Sequence, residues 1–86
     1  MNSVYLVERK WEGTDDWQVA CVVDSPKTAI DIIRATYRVP NIGLVIYDEY
    51  RFQLVRTNVR WEWDEEPELL ASYWCRLMQV RTGEQP

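Results

Sequence analysis

Neighbouring carboxylates are the residues in this chain that come closest to catalytic chemistry. They occur at Asp15–Asp16, Asp48–Glu49 and Glu65–Glu66. Carboxyl groups held in pairs can act as general acid and general base. All three pairs fall in predicted turns or at a predicted helix start, where carboxylates are solvated. We therefore expect no catalysis from them.

The other common catalytic and cofactor-binding residues are scarce. The sequence contains no histidine, two cysteines and three isolated glycines. This composition gives no histidine triad, no zinc-ligand set, no calcium loop and no glycine-rich phosphate loop. Cys21 (in VACVV) and Cys75 (in YWCRLM) lie in apolar surroundings, which predicts buried, reduced thiols. The sequence predicts a protein that is not an enzyme and carries no cofactor.

The segment RWEWDEEPELL, residues 60–70, concentrates acidic side chains around a proline. One interpretation is structural, because acids in the first turn of a helix stabilise the positive end of its dipole. The other is functional, because a fixed anionic patch could dock on a basic groove of a partner, as nucleic-acid mimics do. The candidate partner-binding residues are Glu62, Asp64, Glu65, Glu66 and Glu68. Both interpretations stay open.

Arginines form a second candidate site. Arg56 and Arg60 are four residues apart on a predicted strand and project from one face, which Arg51 can join if no turn intervenes. With Tyr47 or Tyr50 nearby, such a face could stack the bases of single-stranded nucleic acid and grip its phosphates. The alternative is a solvated strand face that its charges keep unpaired. A net charge of -4 argues against nucleic acid as the partner.

Length and composition bound the class of protein. With 86 residues, 47% of them hydrophobic and 28% charged, the chain has the composition of one folded domain. We expect an ordered core over residues 4–81 and a frayed tail over 82–86. No apolar run is long enough to span a bilayer and no basic-then-apolar leader opens the sequence, so we expect a cytoplasmic protein without membrane contact.

The first half of the chain has clear element signals. Residues 4–10 and 17–23 are rich in β-branched and aromatic side chains, and the turn cluster 12–16 separates them, which predicts an antiparallel hairpin. Ser25 and Pro26 predict a helix start. Apolar residues then recur at helical spacing along one face of this helix: Ala29, Ile30, Ile33 and Tyr37.

The second half is less clear. Residues 44–63 form either one long bent strand or a hairpin, with candidate turns at 48–51 and 56–58, of which the first is favoured. From Gln53 onward the residues alternate. A packed face is predicted for Val55, Thr57, Val59, Trp61 and Trp63, and a solvent face for Leu54, Arg56, Asn58, Arg60 and Glu62.

Residues 67–80 carry apolar side chains at helical spacing and predict a second helix. Its stripe is wide enough to serve as a homodimer interface through Leu70, Tyr73, Trp74 and Leu77. The predicted fold class is α+β, a small antiparallel sheet of about four strands with two helices in the order ββαββα.

The stretches VYLVE and VACVVDSPKTAIDII, followed by IYDEYRF, resemble a group of short phage and bacterial domains of unknown function. The likeness covers residues 4–54. This sequence lacks two features usual in that group: a histidine after the first strand and a glycine near the end of the second. The resemblance implies a ββαβ arrangement and a phage or mobile-element origin, and it implies no activity.

These observations favour a non-catalytic protein-binding module. Its small size and acidity suit a phage-type inhibitor that occupies a basic or nucleic-acid-binding surface of a host enzyme or defence protein. Two alternatives remain: single-stranded nucleic-acid binding through the arginines, and a homodimeric structural protein.

Overall fold

The computed structural model describes residues 3–57 and 67–79. They form one helix and a five-stranded antiparallel sheet. The elements are β1 (Ser3–Trp11), β2 (Gln18–Val23), α1 (Pro26–Thr36), β3 (Ile42–Ile46), β4 (Arg51–Arg56) and β5 (Glu68–Gln79).

The strand order in the sheet is β2-β1-β5-β4-β3. Two hairpins, β1–β2 and β3–β4, form its two sides, and α1 connects the outer strand of one hairpin to the outer strand of the other. β5 then enters between β1 and β4 and pairs with both. The last described strand is thus the central strand of the sheet.

The predicted first hairpin is confirmed. Its turn begins where Trp11 accepts hydrogen bonds from the backbone N–H (3.1 Å) and the hydroxyl (2.8 Å) of Thr14. Gly13 has a φ of 89°, in the left-handed region that glycine adopts without steric cost. β2 contains a bulge, because Val7 pairs with Cys21 while Glu8 pairs with Val19.

The predicted helix start at Ser25 and Pro26 is also confirmed. The Ser25 hydroxyl accepts the backbone N–H of Thr28 at 3.3 Å, and Pro26 occupies the first helical position, where no amide hydrogen is needed. Ala29 and Ile33 are buried on the predicted face. This face packs onto the sheet.

Residues 42–56 are a hairpin, with its turn at the favoured position rather than at 56–58. Asp48 shapes this turn: one carboxylate oxygen accepts the backbone N–H groups of Tyr50 at 2.8 Å and Arg51 at 2.9 Å. An aspartate that binds the backbone two residues ahead stabilises a turn without glycine or proline. The hairpin alternative was therefore the right one.

The predicted second helix is wrong, and with it the ββαββα fold class. Glu68–Gln79 is a strand, so the described part of the chain is mostly β, with one helix and five strands. Alanine, leucine and methionine give this segment helical character, but a central strand gains backbone pairing on both edges, which outweighs propensity. Burial alternates along it: Ala71, Tyr73 and Cys75 are buried.

The predicted faces of residues 53–63 need correction as well. Phe52 and Leu54 are each 1% exposed and face α1, so Leu54 is not on a solvent face. Val55 is buried, as predicted, and β5 carries an extra residue between the partners of Leu54 and Val55. Thr57 is exposed. The predictions for residues 58–63 lie outside the described residues.

The core lies between α1 and the sheet face that α1 covers. Its buried side chains come from the helix and from four strands: Val7, Val23, Ala29, Ile33, Phe52, Leu54, Ala71, Tyr73 and Cys75. No described element covers the opposite side of the sheet. We call that side the open face; it carries Leu6, Glu8, Val19, Val22, Val45, Arg51, Gln53, Ser72, Trp74 and Arg76.

Candidate binding surfaces

The acidic candidate site falls mostly outside the described residues. Glu62, Asp64, Glu65 and Glu66 belong to that part of the chain, and their predicted role stays a prediction. Glu68 is described: it is exposed at the start of β5, and its carboxylate lies 3.5 Å from the Arg56 guanidinium. An exposed pair at this distance contributes little to stability.

The predicted arginine face is not assembled as expected. Arg51 and Arg56 are five residues apart on β4, so alternation places them on opposite faces of the sheet. Each also has a carboxylate partner, Asp48 at 2.7 Å for Arg51 and Glu68 for Arg56. Arg60 lies outside the described residues. Phosphate would therefore have to compete with a carboxylate for Arg51 and Arg56.

The ionised form of Asp48 is stabilised by its neighbours in the β3–β4 turn. The backbone N–H of Tyr50 and the side chain of Arg51 hold the pKa of Asp48 below its usual value. It therefore stays charged over the whole neutral range. The Arg51 charge is largely compensated where β3 turns into β4.

The proposed dimer stripe does not exist as one surface. Leu70, Tyr73, Trp74 and Leu77 share a face only in a helix. In β5, Tyr73 is 2% exposed and belongs to the core, whereas its neighbour Trp74 projects from the open face and is 44% exposed. Leu70 is partly buried against the core and Leu77 is exposed.

The open face has an aromatic pair at its centre. Trp17 and Trp74 meet edge to face, with ring centroids 6.4 Å apart. The Arg76 guanidinium lies over the Trp74 ring, 5.1 Å from its centroid, and forms an ion pair with Glu8 on the neighbouring strand. Edge-to-face rings and cation–π contacts are both favourable geometries, so this group is held in place while still exposed.

Apolar side chains extend the open face on either side of this pair. Val19 and Val22 on β2 are 59% and 57% exposed, and Val45 on β3 is 43% exposed. Beside Trp74 the surface is concave, with a groove of about 480 Å³ between the β3–β4 turn and the tryptophan pair. Its side walls include Trp17, Tyr47, Arg51, Gln53, Ser72 and Trp74.

Sequence reasoning missed this surface because it assigned Trp74 and Arg76 to a helix. The signal was present as period-two alternation, which places Tyr73 and Cys75 on one side and Trp74 and Arg76 on the other. Strict alternation along residues 17–23 would place Trp17 on the same side as Cys21 and Val23. The bulge in β2 reverses the side-chain alternation from one side of the bulge to the other. Val19 therefore pairs with Glu8 and lies on the open face.

The two thiols are free, as predicted. Cys75 is buried and Cys21 partly buried, and burial raises the pKa of both thiols. The positive charge of Arg9 offsets only part of the effect at Cys21. Both groups are therefore protonated thiols at neutral pH, which are poor nucleophiles.

A buried polar group lies under the C-terminal end of α1. The Tyr73 hydroxyl is buried without a hydrogen-bond partner of good geometry among the described residues, although Tyr37 and Arg9 adjoin it. Burial, and secondarily Tyr37, raises the pKa of Tyr73 to about 12. The hydroxyl is consequently neutral throughout the physiological range.

Two classes of site are not found in the described part of the chain. Over residues 3–57 and 67–79, no three histidine, cysteine or acidic side chains come together as metal ligands. The described helix is also too short and too polar to cross a bilayer.

Comparison with known proteins finds no matching family model, no matching curated protein and no matching solved structure.

Proposed function

We propose that this chain is a non-catalytic protein-binding module and that its open face contacts the partner. The observation that carries the proposal is the exposed pair of Trp17 and Trp74, fixed by Arg76 at the centre of the open face. Tryptophan, tyrosine and arginine dominate the residues that supply most of the binding energy in protein interfaces. A soluble monomer rarely leaves such a group exposed without a role.

The charges around the open face indicate what kind of protein fits it. Within the face, Glu8 is neutralised by Arg76 and Asp48 by Arg51. Exposed acids lie at the adjoining turns, Glu12, Asp15 and Asp16 after β1 and Glu49 after β3, and they outnumber Lys10, which lies on the open face opposite Ser72. A complementary partner has an apolar patch flanked by basic groups.

A foreign protein suits this surface better than a second copy of the chain. Two copies would bring together two molecules that each carry a net charge of -4. The narrower hypothesis, a phage-type inhibitor of a host nucleic-acid enzyme or defence protein, requires the same basic character of the partner. It also requires that the protein acts in the cytoplasm. The inhibitor role and the cytoplasmic location both remain part of this proposal.

Site-specific photocrosslinking tests the proposal. A photoreactive phenylalanine analogue replaces Val22 on the open face, or Ile32 on the solvent side of α1 as a matched control, since both side chains are exposed. In a lysate of the native cells, we expect a discrete adduct from position 22 and none from position 32. The adduct should disappear when Trp74→Ser is added to the position-22 variant.

Three outcomes would overturn this assignment. Equal adducts from both positions would show that the open face is not selective. An adduct with the mass of two chains would identify a second copy as the occupant. Persistence of the adduct in a folded Trp74→Ser variant, with folding checked by circular dichroism, would remove the tryptophan pair from the interface.

Nucleic acid is tested separately. A fluorescein-labelled oligothymidine titrated at low salt should show no binding that depends on the open face, because Arg51 and Arg76 are engaged with carboxylates there. Salt-sensitive binding that is weakened by Trp74→Ser would show that the open face binds single-stranded nucleic acid rather than a protein.

A further inference from the structure

A cleft of about 540 Å³ lies on the other side of the molecule, between the C-terminal part of α1 and β3. Its floor is apolar. Ile33 and Leu54 are core residues, and Tyr37, Ile42 and Leu44 pack against the core from the cleft side. Concave apolar sites of this size are the usual form of ligand pockets.

The cleft runs along a strand edge that no described strand pairs. β3 is the last strand on its side of the sheet, and no described strand pairs with its outer edge. Its sequence, IGLVI, contains neither charge nor proline, the devices that commonly prevent an edge from pairing. The register of β3 with β4 is regular, whereas β2 at the opposite edge is bulged. β3 is therefore the better template for an added strand.

Two arginines line the cleft, Arg34 in α1 and Arg38 shortly after the end of that helix. Neither forms an ion pair with a described residue, in contrast to Arg51, Arg56 and Arg76, which all do. The C-terminal end of α1 contributes a partial negative charge of about half a unit, which the two guanidinium groups exceed. The cleft thus combines an apolar floor with a net positive rim.

We propose that this cleft binds an extended acidic peptide of a partner protein, which adds a strand to the outer edge of β3. Backbone hydrogen bonds to β3 fix the peptide, an apolar side chain enters the space between Tyr37 and Leu44, and carboxylates on the same side of the peptide contact Arg34 and Arg38. This site is separate from the open face, so the chain has two surfaces with different chemistry.

Fluorescence anisotropy with a designed peptide tests the site. The probe is a fluorescein-labelled nonapeptide with threonine at odd positions and glutamate alternating with leucine at even positions, so that acids and apolar groups share one side. We expect binding by the wild-type chain and a loss of about tenfold or more in affinity in Arg34→Glu/Arg38→Glu. Lys27→Glu, at the exposed start of the same helix, serves as the matched control and should change the affinity less than about twofold.

Peptide variants test strand addition without altering the protein. Two versions of the probe are N-methylated, one at the odd and one at the even residues. Because only one set of amides can face β3, one version should lose binding and the other retain it. Equal binding of both versions would show that no strand is added.

The remaining outcomes are equally decisive. An absence of binding by the unmodified probe would overturn the proposal, as would binding that Arg34→Glu/Arg38→Glu leaves unchanged. A probe with lysine in place of glutamate that binds equally well would remove the role of the two arginines. Dimerisation detected by sedimentation, and abolished by Arg34→Glu/Arg38→Glu, would identify a second copy as the occupant instead.

Discussion

The two faces of β5 differ sharply in burial although their residues alternate along one strand. Tyr73 and Cys75 are almost completely buried under α1, whereas Trp74 and Arg76, adjacent in sequence, lie on the open face. Both faces carry aromatic side chains, so composition alone does not separate them. Among the described residues, α1 covers one side of the five-stranded sheet, and Trp74 on the other side stays 44% exposed.

The covered face also carries a desolvation cost that the open face lacks. It buries the Tyr73 hydroxyl without a hydrogen-bond partner among the described residues, while the polar groups of the open face remain in contact with water or in ion pairs. If this comparison is right, substitutions on the covered face should change stability. Substitutions on the open face should change binding and leave stability nearly unaltered.

The largest effect is expected from Phe52→Ala. This side chain is 1% exposed and its removal leaves a cavity in the core, which should lower the free energy of unfolding by about 3–5 kcal/mol. Trp74→Ala removes a larger side chain from the open face but should cost no more than about 1 kcal/mol, because that ring is half exposed. Urea denaturation followed by circular dichroism gives both values. A Trp74→Ala variant that is as unstable as Phe52→Ala would erase the distinction between the faces.

The next effect is a loss of stability at alkaline pH. The pKa of Tyr73 is raised to about 12 in the folded state, so folding favours its neutral form. The stabilisation is complete below the unfolded pKa of about 10 and is lost as pH rises through 12, amounting to roughly 2 kcal/mol. Tyr73→Phe should keep or slightly raise stability at neutral pH and should flatten the decline between pH 10 and 12.

Urea titrations of both proteins at several pH values check this expectation. An identical alkaline decline in wild type and Tyr73→Phe would show that the Tyr73 hydroxyl is not the group responsible. A large loss of stability in Tyr73→Phe at pH 7 would show that the hydroxyl does have a strong hydrogen-bond partner.

A smaller effect should come from Ser25→Ala. The Ser25 hydroxyl accepts the Thr28 amide at the start of α1, the helix that covers one face. Its removal should lower the free energy of unfolding by about 1 kcal/mol. Ser25→Asp, which keeps the acceptor, is the matched control and should be close to wild type. Equal destabilisation by both substitutions would contradict a capping role.

The smallest effect is expected at the surface ion pair of Asp48 and Arg51. Arg51→Gln removes an exposed partner and should change the free energy of unfolding by less than about 1 kcal/mol. Asp48→Ala should cost more than Arg51→Gln, because it also removes the acceptor for the Tyr50 and Arg51 amides that shapes the turn. Thermal denaturation of both variants gives the two losses of stability. A larger loss in Asp48→Ala would show that the turn hydrogen bonds contribute more than the ion pair, and equal losses would contradict this.

Local signals were sufficient for the parts of the fold that local interactions specify. The first turn depends on Gly13, the helix start on Ser25 and Pro26, and the second turn on Asp48, and all were predictable. The identity of β5 depends on pairing with residues 51–56 and 3–11, which no short window contains. Apolar residues at spacings of three and four suit a helix, and the same residues alternate well enough for a strand.

The candidate site was less predictable than the fold for the same reason. Trp17 and Trp74 are far apart in sequence and meet only because β5 inserts next to β1. Glu8 and Arg76 are brought together in the same way. Arg34 falls in the predicted helix, but the position of Arg34 and Arg38 beside an edge that no described strand pairs follows only from the strand order.

Cysteine labelling along β5 tests the central claim most directly. In a Cys21→Ser background, Cys75 is compared with single cysteines placed at positions 73, 74 and 76 of a Cys75→Ala chain, using iodoacetamide under native conditions. The structure predicts fast labelling at 74 and 76 and slow labelling at 73 and 75, a period of two. Similar rates at 74 and 75, or protection that recurs every three to four residues, would contradict the division of β5 into a core face and an open face.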